Sequence, residues 1–488
     1  MPEKTSSRIV RVLFLAAEAA PLIKVGGLAD VAGSLPRALR RLTSSSCDVR
    51  LVLPMHAGIG QKLESIQKFT EFEIATTDGR ELPATIFQSE FQGVPLYLIS
   101  GSPIPPDAPI YTGSTTDGDK YIFFSLAALA LTQYLATAWG ETILHANDWH
   151  TALAVYMLRM QQITHPALRK VRSLLTIHNL PYMGQEARPV LDHYSIPPAR
   201  STALPEWAQT LPLPMGLWAA DHINAVSPTY AEEILTPEFG CGLETFLQGR
   251  KDHLSGILNG LDEEEWDPAK DSTLAVPYDW QHLVERQRNK EALLREMQFD
   301  TEHRVPLLII VSRLDRQKGI DIALEGLASL PDQPWRLIIL GRGDVNLEKM
   351  CADFSQTYPD RVRFFPRLDV TLARKLYAGG DILLMPSRYE PCGLTQMIAM
   401  RYGCIPVARA TGGLKDTIED DPTLQRSTGF LFWDPTPQAL AQKLLEALYH
   451  FRDPTLWSEI QKRAMQKDFS WRRSAQAYFD LYQKLLDT

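Results

Sequence analysis

The sequence predicts an α/β fold built from two doubly wound, Rossmann-like domains facing a cleft. Three observations lead there. The chain opens with a buried run, Ile9 to Ala17, a glycine-bearing loop, an amphipathic stretch and a second buried run, Val49 to Leu53. That is the β-loop-α-β start of a doubly wound sheet. The same plan restarts at Val305 to Val311, again alternating short apolar runs with helical ones. And 488 residues is length enough for about two to four domains with full cores.

In the first half, Leu28, Val31, Leu35, Ala38, Leu39 and Leu42 fall at helical spacing. Phe69 to Ile99 alternates apolar and polar residues and reads as strands or hairpins added to the sheet. Gly101 to Gly118 is a long loop rich in Gly, Pro, Ser, Thr and Asp. Asp117-Gly118-Asp119 at its end could hold a nucleotide-bound metal, but a turn and N-cap opening a helix over Tyr121 to Trp139 is the preferred reading. Strands are predicted at Thr142 to Ala146, Val171 to Ile177 and His222 to Val226, each ending in a polar turn. Open α/β sheets place ligands at such turns. In the second half, strands are predicted at Arg336 to Leu340, Arg361 to Phe365, Ile382 to Met385 and Ile405 to Ala408. The expected domains are 1–255, 256–465 and a C-terminal helix within 466–488 that is free to cross back to the first domain.

Composition bounds the function. The net charge of -8 argues against a nucleic-acid or polybasic membrane partner. Five scattered cysteines, with no Cys-x-x-Cys, argue against a disulfide framework or zinc site and fit a reducing cytoplasm. Lys4, Arg8 and Arg11 before Val12 to Ala17 faintly suggest a leader, but Glu18 interrupts its small-residue end. A buried first strand is the better reading. No other stretch reads as long and apolar enough to span a bilayer.

Three loops are candidates for anion binding. Lys24-Val25-Gly26-Gly27-Leu28 puts a cation and two glycines at the mouth of a helix. Ser312 to Gly319 carries Arg313 and Lys318 at a strand-to-helix turn, either a diphosphate clamp or a solvated basic loop. In Ser387 to Thr395, free N–H groups of Gly393, Leu394 and Thr395 would face an anion at a helix start. Glu390 beside them is an awkward neighbour for an anion unless it holds sugar hydroxyls; otherwise it is a surface cap. Gly341-Arg342-Gly343-Asp344 lacks the third glycine of a dinucleotide fingerprint. His145 and His150 form a metal pair only if further ligands join them, and a satisfied strand-end histidine is commoner. No metal and no cofactor is expected. Three anion loops and polar strand ends imply group transfer from a nucleotide-diphosphate donor, with cations behind the leaving diphosphate.

These loops resemble the bacterial glycogen synthases and plant starch synthases, retaining glycosyltransferases of family five with the GT-B fold. The matching stretches include Lys24-Val25-Gly26-Gly27-Leu28-Ala29-Asp30-Val31, His145 to His150, Thr176-Ile177-His178-Asn179-Leu180, Leu258-Asn259-Gly260, Gln317-Lys318-Gly319, Pro386 to Gln396 and Thr411-Gly412-Gly413-Leu414. They span nearly the whole chain in order. The resemblance implies transfer of glucose from ADP-glucose to the non-reducing end of an α-1,4-glucan such as glycogen, with retention. It implies that Lys24 contacts the donor, that Gly26 and Gly27 approach its phosphates, and that Arg313 and Lys318 hold the diphosphate. Glu390 matches the acid at the donor glucose, Gly393, Leu394 and Thr395 the phosphate-binding helix start, and His178 the histidine by the transferred sugar. Asp148 and Asn259 match polar residues of the same cleft. The implied chemistry is front-face, with the leaving phosphate oxygen taking the acceptor proton. Domain closure is implied too, since the loops lie on different halves.

Two departures concern the acceptor side. Where the family carries Phe-Leu-Lys, this chain has Pro212-Leu213-Pro214-Met215-Gly216; where it carries Asp-Asn-x-x-Arg-Phe, this chain has Asp119 to Phe124 without the arginine. Tyr182 and Trp149 could stack on sugar rings, or Trp149 could belong to the core. A related enzyme using UDP-glucose, and a catalytically weak glucan-binding paralogue, are the rival readings. Retention of Lys24, His178, Arg313, Lys318 and Glu390 together speaks against the paralogue.

Overall fold

The computed structural model describes residues 9–43, 46–105, 107, 109–301 and 304–487. Lys4 and Arg8 of the leader-like start lie outside the described residues. The chain forms two compact units, Met1–Gly260 with Trp471–Thr488, and Leu261–Ser470.

The first unit holds a nine-stranded sheet. Its strands are β1 (Val10–Leu15), β2 (Cys47–Pro54), β3 (Gln67–Ala75), β4 (Glu81–Phe91), β5 (Val94–Ser100), β6 (Thr142–Asn147), β7 (Val171–Ile177), β8 (His222–Ala225) and β9 (Leu254–Gly256). Their order is β3-β4-β5-β2-β1-β6-β7-β8-β9. The alternating stretch forms the antiparallel edge β3-β4-β5, and β5 joins β2 in parallel. The chain works outward from β1 to one side, then returns to lay β6 on the other side of β1. The sheet's crossover therefore lies between β1 and β6, and the loops leaving their carboxyl ends flank a crevice of the kind that takes ligands in doubly wound sheets.

The second unit repeats this on a six-stranded sheet whose described pairings are all parallel. Its strands are β10 (Leu307–Val311), β11 (Arg336–Leu340), β12 (Val362–Phe365), β13 (Ile382–Met385), β14 (Ile405–Arg409) and β15 (Phe430–Phe432), in the order β12-β11-β10-β13-β14-β15. The crossover lies between β10 and β13. Unbroken apolar runs such as Leu307–Val311 form central strands because helices cover both faces. Ile309, Ile338 and Leu383 are fully buried, and each such side chain contributes about 1.5–3 kcal/mol by leaving water.

The last helix, Trp471–Leu486, packs on the first unit. Its Tyr482 hydroxyl lies 2.7 Å from His145 Nδ1, and its Tyr478 hydroxyl accepts from Asn224 Nδ2 at 3.0 Å. Ser474 Oγ donates to the Leu258 carbonyl at 2.6 Å.

Two expectations need correction. The helix after the long loop runs Thr115–Trp139, not from Tyr121, and its cap is Ser114, which accepts from the Thr116 N–H. Asp117 lies inside the first turn, where it accepts from the N–H groups of Thr112 and Gly113 and pairs with the buried Lys120. Gly118 lies within the helix, and glycine is required there because a Cβ would stand 2.4 Å from the Glu186 carbonyl oxygen. With those residues included, this helix is, by length and composition, long and apolar enough to cross a membrane. In this fold it is a core helix of the first unit, with Tyr121, Phe123, Phe124 and Leu131 buried.

Candidate functional site

In the first unit the loop after β1 bears Glu18 and Lys24, the loop after β6 bears Asp148, and the loop after β7 bears His178. The β1 loop is folded tightly onto the helix it feeds, Gly27–Thr43. Ala20 N donates to the Ala29 carbonyl at 2.8 Å, and a Cβ on Gly33 would lie 2.1 Å from the Ala20 oxygen. That contact requires glycine at position 33. Lys62 Nζ donates to the carbonyls of Pro21 and Leu22.

Lys24 is half exposed and pairs with Asp30 on the first turn of that helix at 2.7 Å. The N–H groups of Val25 and Gly26 turn inward. Both donate to the buried carboxylate of Glu18, Val25 at 2.5 Å and Gly26 at 3.2 Å. Tyr111 adds its hydroxyl at 3.3 Å. The anion on this glycine loop is thus the protein's own carboxylate. Gly26 spends its N–H on Glu18, whereas Gly27 opens the helix with free space where a Cβ would be. Burial, the largest influence, pushes the Glu18 carboxyl above its ordinary value, against the pull of its hydrogen bonds.

Asp148 and His178 are brought together. Asp148 adopts a positive φ of 55° and accepts from the His178 N–H at 2.7 Å, with Asn179 N–H at 3.4 Å. Burial pushes the Asp148 carboxyl up to about 7. The His178 ring is fixed by Asn147, whose Oδ1 lies 2.9 Å from Nε2 and whose Nδ2 donates to the Leu15 carbonyl. Burial pushes His178 down to about 3, so its ring is neutral at physiological pH. His145 spends both ring nitrogens on Tyr482 and Thr176, the satisfied strand histidine. Trp149 is core: it is 7% exposed and packs against Tyr121 and His150. Tyr182 is exposed. Asn259 is buried, and its Oδ1 meets no hydrogen-bond partner among the described residues.

The second unit assembles its own group at the β10–β13 crossover. Asp315 accepts from the Lys318 N–H at 3.2 Å and caps the turn Arg316–Lys318. Gly319 follows with φ +66°, and a Cβ there would meet the Pro386 oxygen at 2.0 Å. This close approach joins the β10 loop to the β13 loop, together with Arg388 N donating to Gln317 O at 2.7 Å. Lys318 Nζ then reaches Glu390 Oε2 at 2.6 Å, and Ser387 Oγ reaches the same oxygen at 3.1 Å. Glu390 is buried, so the surface-cap reading of it is wrong. Arg313 is half exposed and pairs with Asp315 at 3.3 Å. The helix after Glu390 is short, Thr395–Arg401. The N–H groups of Gly393 and Leu394 meet no acceptor among the described residues. Gly413 N donates to the Glu390 carbonyl at 3.1 Å, which backs the Glu390 loop with the Thr411-Gly412-Gly413 turn.

A cavity of about 390 Å³ in this unit lies elsewhere, against β12 and the helix Val370–Gly379. Lys375 and Arg367 in its wall pair with Glu296 and Asp369. None of the residues singled out from sequence lines it.

The starch synthase catalytic domain model matches residues 11–249, and the glycosyl transferases group 1 model matches residues 295–462. A glycogen synthase of Thioalkalivibrio sulfidiphilus is 38% identical over 98% of this chain and 100% of its own length. One from an Anaeromyxobacter species is 39% identical, over 98% and 99%. The chain belongs to the glycogen and starch synthase family. A solved structure, the catalytic domain of starch synthase IV from Arabidopsis thaliana bound to ADP and acarbose, matches this family member with a TM-score of 0.87. It is 30% identical, over 99% of this chain and 100% of its own. The two Rossmann-like units have the GT-B fold of this glycosyltransferase family, and the chain is a glycosyltransferase of the glycogen and starch synthase type.

Three residues of this family member's candidate site escaped the sequence reading. Glu18 was seen only as an interruption of a small-residue run. Asn147 lies inside the His145 to His150 stretch and Tyr111 inside the long loop, and neither is marked out by its residue type. A polar residue at a buried strand's last position or up to three beyond it is the signal that singles out Asn147 and Glu18.

Proposed function

We propose that the chain transfers glucose from ADP-glucose to the non-reducing end of an α-1,4-glucan, with retention. The observation that carries this reading is the pairing of Lys318 with Glu390 beside the unaccepted N–H groups of Gly393 and Leu394. Amides and cations suit phosphates; a buried carboxylate among them suits sugar hydroxyls. In this reading Arg313, Lys318 and the Gly393-Leu394-Thr395 turn hold the diphosphate, and Glu390 holds the glucose. Lys24 adds a cation to the donor, as the resemblance to the family implies. The anomeric carbon–phosphate bond breaks as the bond to the acceptor hydroxyl forms, and that hydroxyl's proton passes to the leaving phosphate oxygen. His178, kept neutral by burial, orients the sugar rather than acting as an acid. Asp148 fixes the His178 backbone, and Asn259 offers its buried amide oxygen to the sugar.

ADP is the nucleotide bound in the starch synthase IV structure, which supports an adenine-nucleotide donor. The glucan acceptor follows from the glycogen synthase relatives, and the free cysteines suit a cytoplasmic location. The test is transfer of radiolabelled glucose to glycogen from ADP-glucose against UDP-glucose. ADP-glucose is expected to give at least about 10-fold higher kcat/KM, a difference of about 1.4 kcal/mol. Preference for UDP-glucose would overturn the donor assignment, and transfer from neither would favour a catalytically weak glucan-binding protein.

A further inference from the structure

We propose that Glu18 is the positioning residue for Lys24, holding the lysine's loop in the shape that presents its ammonium to the donor. This rests on the reading above, in which Lys24 contacts that donor. The geometry is specific. Glu18 is 2% exposed, three residues beyond the end of β1, and Lys24 directly precedes the first amide it binds. Both carboxylate oxygens are used: Oε2 by Val25 and Gly26, Oε1 by Gly26 and the Tyr111 hydroxyl. Adjacent backbone amides pointing at one buried carboxylate leave little freedom to the peptide that joins them to Lys24.

Tyr111 is itself held in place. Lys120 Nζ donates to the carbonyls of Pro109 and Ile110, and the Tyr121 hydroxyl donates to Ile110 at 2.8 Å. The Tyr111 ring packs on Tyr121 and His150. The long loop thus reaches Lys24 through Tyr111 and Glu18. An internal anion at this place also has a cost. Its desolvation is offset only by neutral donors, a poor bargain for stability alone. A carboxylate kept there to shape the neighbouring cation is a sufficient reason for it.

The test is a double-mutant cycle on the full chain, following ADP-glucose kinetics and the inhibition constant of ADP. Glu18→Gln keeps the side-chain volume but replaces one acceptor oxygen by a donor. It is expected to raise the donor KM about 10-fold or more, with a smaller change in kcat and a melting temperature within a few degrees of wild type. Glu18→Asp, which restores the charge on a shorter arm, is expected to recover part of that loss. In a Lys24→Ala background, Glu18→Gln is expected to change kcat/KM by less than about two-fold, because the residue it serves is gone. Equal effects in both backgrounds would show that Glu18 acts on the fold at large and would overturn the proposal. A wild-type donor KM in Glu18→Gln would do the same. If Lys24→Ala itself leaves donor kinetics unchanged, the role of Lys24 falls first, and this proposal with it. Should Glu18→Gln fail to fold, Tyr111→Phe carries the test: it removes one hydroxyl from Glu18 and is expected to raise the donor KM about 3-fold in the wild-type background alone.

Discussion

The two crossovers solve one problem in opposite ways. In the first unit the amides of the anion loop are already engaged, because Val25 and Gly26 close on Glu18, and the lysine side chain is turned outward. In the second unit the arrangement is reversed: the amides of Gly393 and Leu394 meet no protein acceptor, and the acid beside them is held by a lysine instead. A carboxylate held by neutral amides is a scaffold, dry and expensive to disturb. A carboxylate held by an ammonium with part of its surface in solvent is an exchangeable pair, since the cation can turn to a stronger anion without breaking backbone structure. Similar loop chemistry at similar places in two sheets therefore gives a rigid loop and an adaptable one.

Substitutions that break this contrast should rank accordingly. Glu390→Ala should have the largest effect. It removes the acid and leaves the mostly buried Lys318 without its partner, so kcat is expected to fall about 100-fold or more and the melting temperature by several degrees, read by steady-state transfer and calorimetry. Asp148→Asn should act on the rigid side through pH. The folded carboxyl titrates at about 7, above its ordinary value, because burial disfavours the charge. The unfolded chain gives up this proton near pH 4 and the folded chain only near pH 7, so native stability from this group is full below about pH 4 and lost as pH rises through about 7. The loss is at most about 4 kcal/mol at 1.36 kcal/mol per pKa unit. Melting temperatures measured from pH 4 to 8 should fall by several degrees more for the wild type than for Asp148→Asn, and parallel curves would refute the burial of an unpaired charge there.

Asn147→Ala should loosen the ring of His178 without touching its backbone. Loss of the buried amide's two hydrogen bonds costs about 1–3 kcal/mol, and a fall of about 10-fold in kcat is expected in the transfer assay. Tyr482→Phe should have the smallest functional effect. It orphans His145 Nδ1 inside the first unit, so melting should drop by a few degrees while kcat and KM stay within about two-fold. If it lowered activity as much as Asn147→Ala, the β6–β7 hydrogen-bond ladder would have to be part of the adaptable side.

The parallel strands were legible because both faces are buried. The runs read at Val171–Ile177, Arg336–Leu340 and Ile382–Met385 form strands over those same residues. β9 and β15 were not anticipated, since strands of three residues are too short to display a period. The start of the helix at Thr115 was hidden because Asp117 and Gly118 carry turn composition; there, side-chain capping and a close backbone contact outweigh propensity. Lys24, Lys318, Glu390 and His178 could be singled out as residue types in loops after strands. Their partners could not all be foreseen. Glu18 binds backbone amides, which exist at every position and leave no mark in the sequence, and Asn147 orients a ring 31 residues away, just past the end of the next strand.

The C-terminal helix also sets an order of events at the ribosome. His145 on β6 and Asn224 on β8 are made early, but the tyrosines that satisfy them belong to Trp471–Leu486. All of Leu261–Ser470 is translated in between, on the order of tens of seconds at about 5–20 residues per second. Throughout that interval the nascent first unit carries an uncovered groove with polar groups awaiting a distant segment. Synthesis of that helix is what seals it, so a chain cut before this helix would leave the earliest-made sheet as a client for chaperones and proteases.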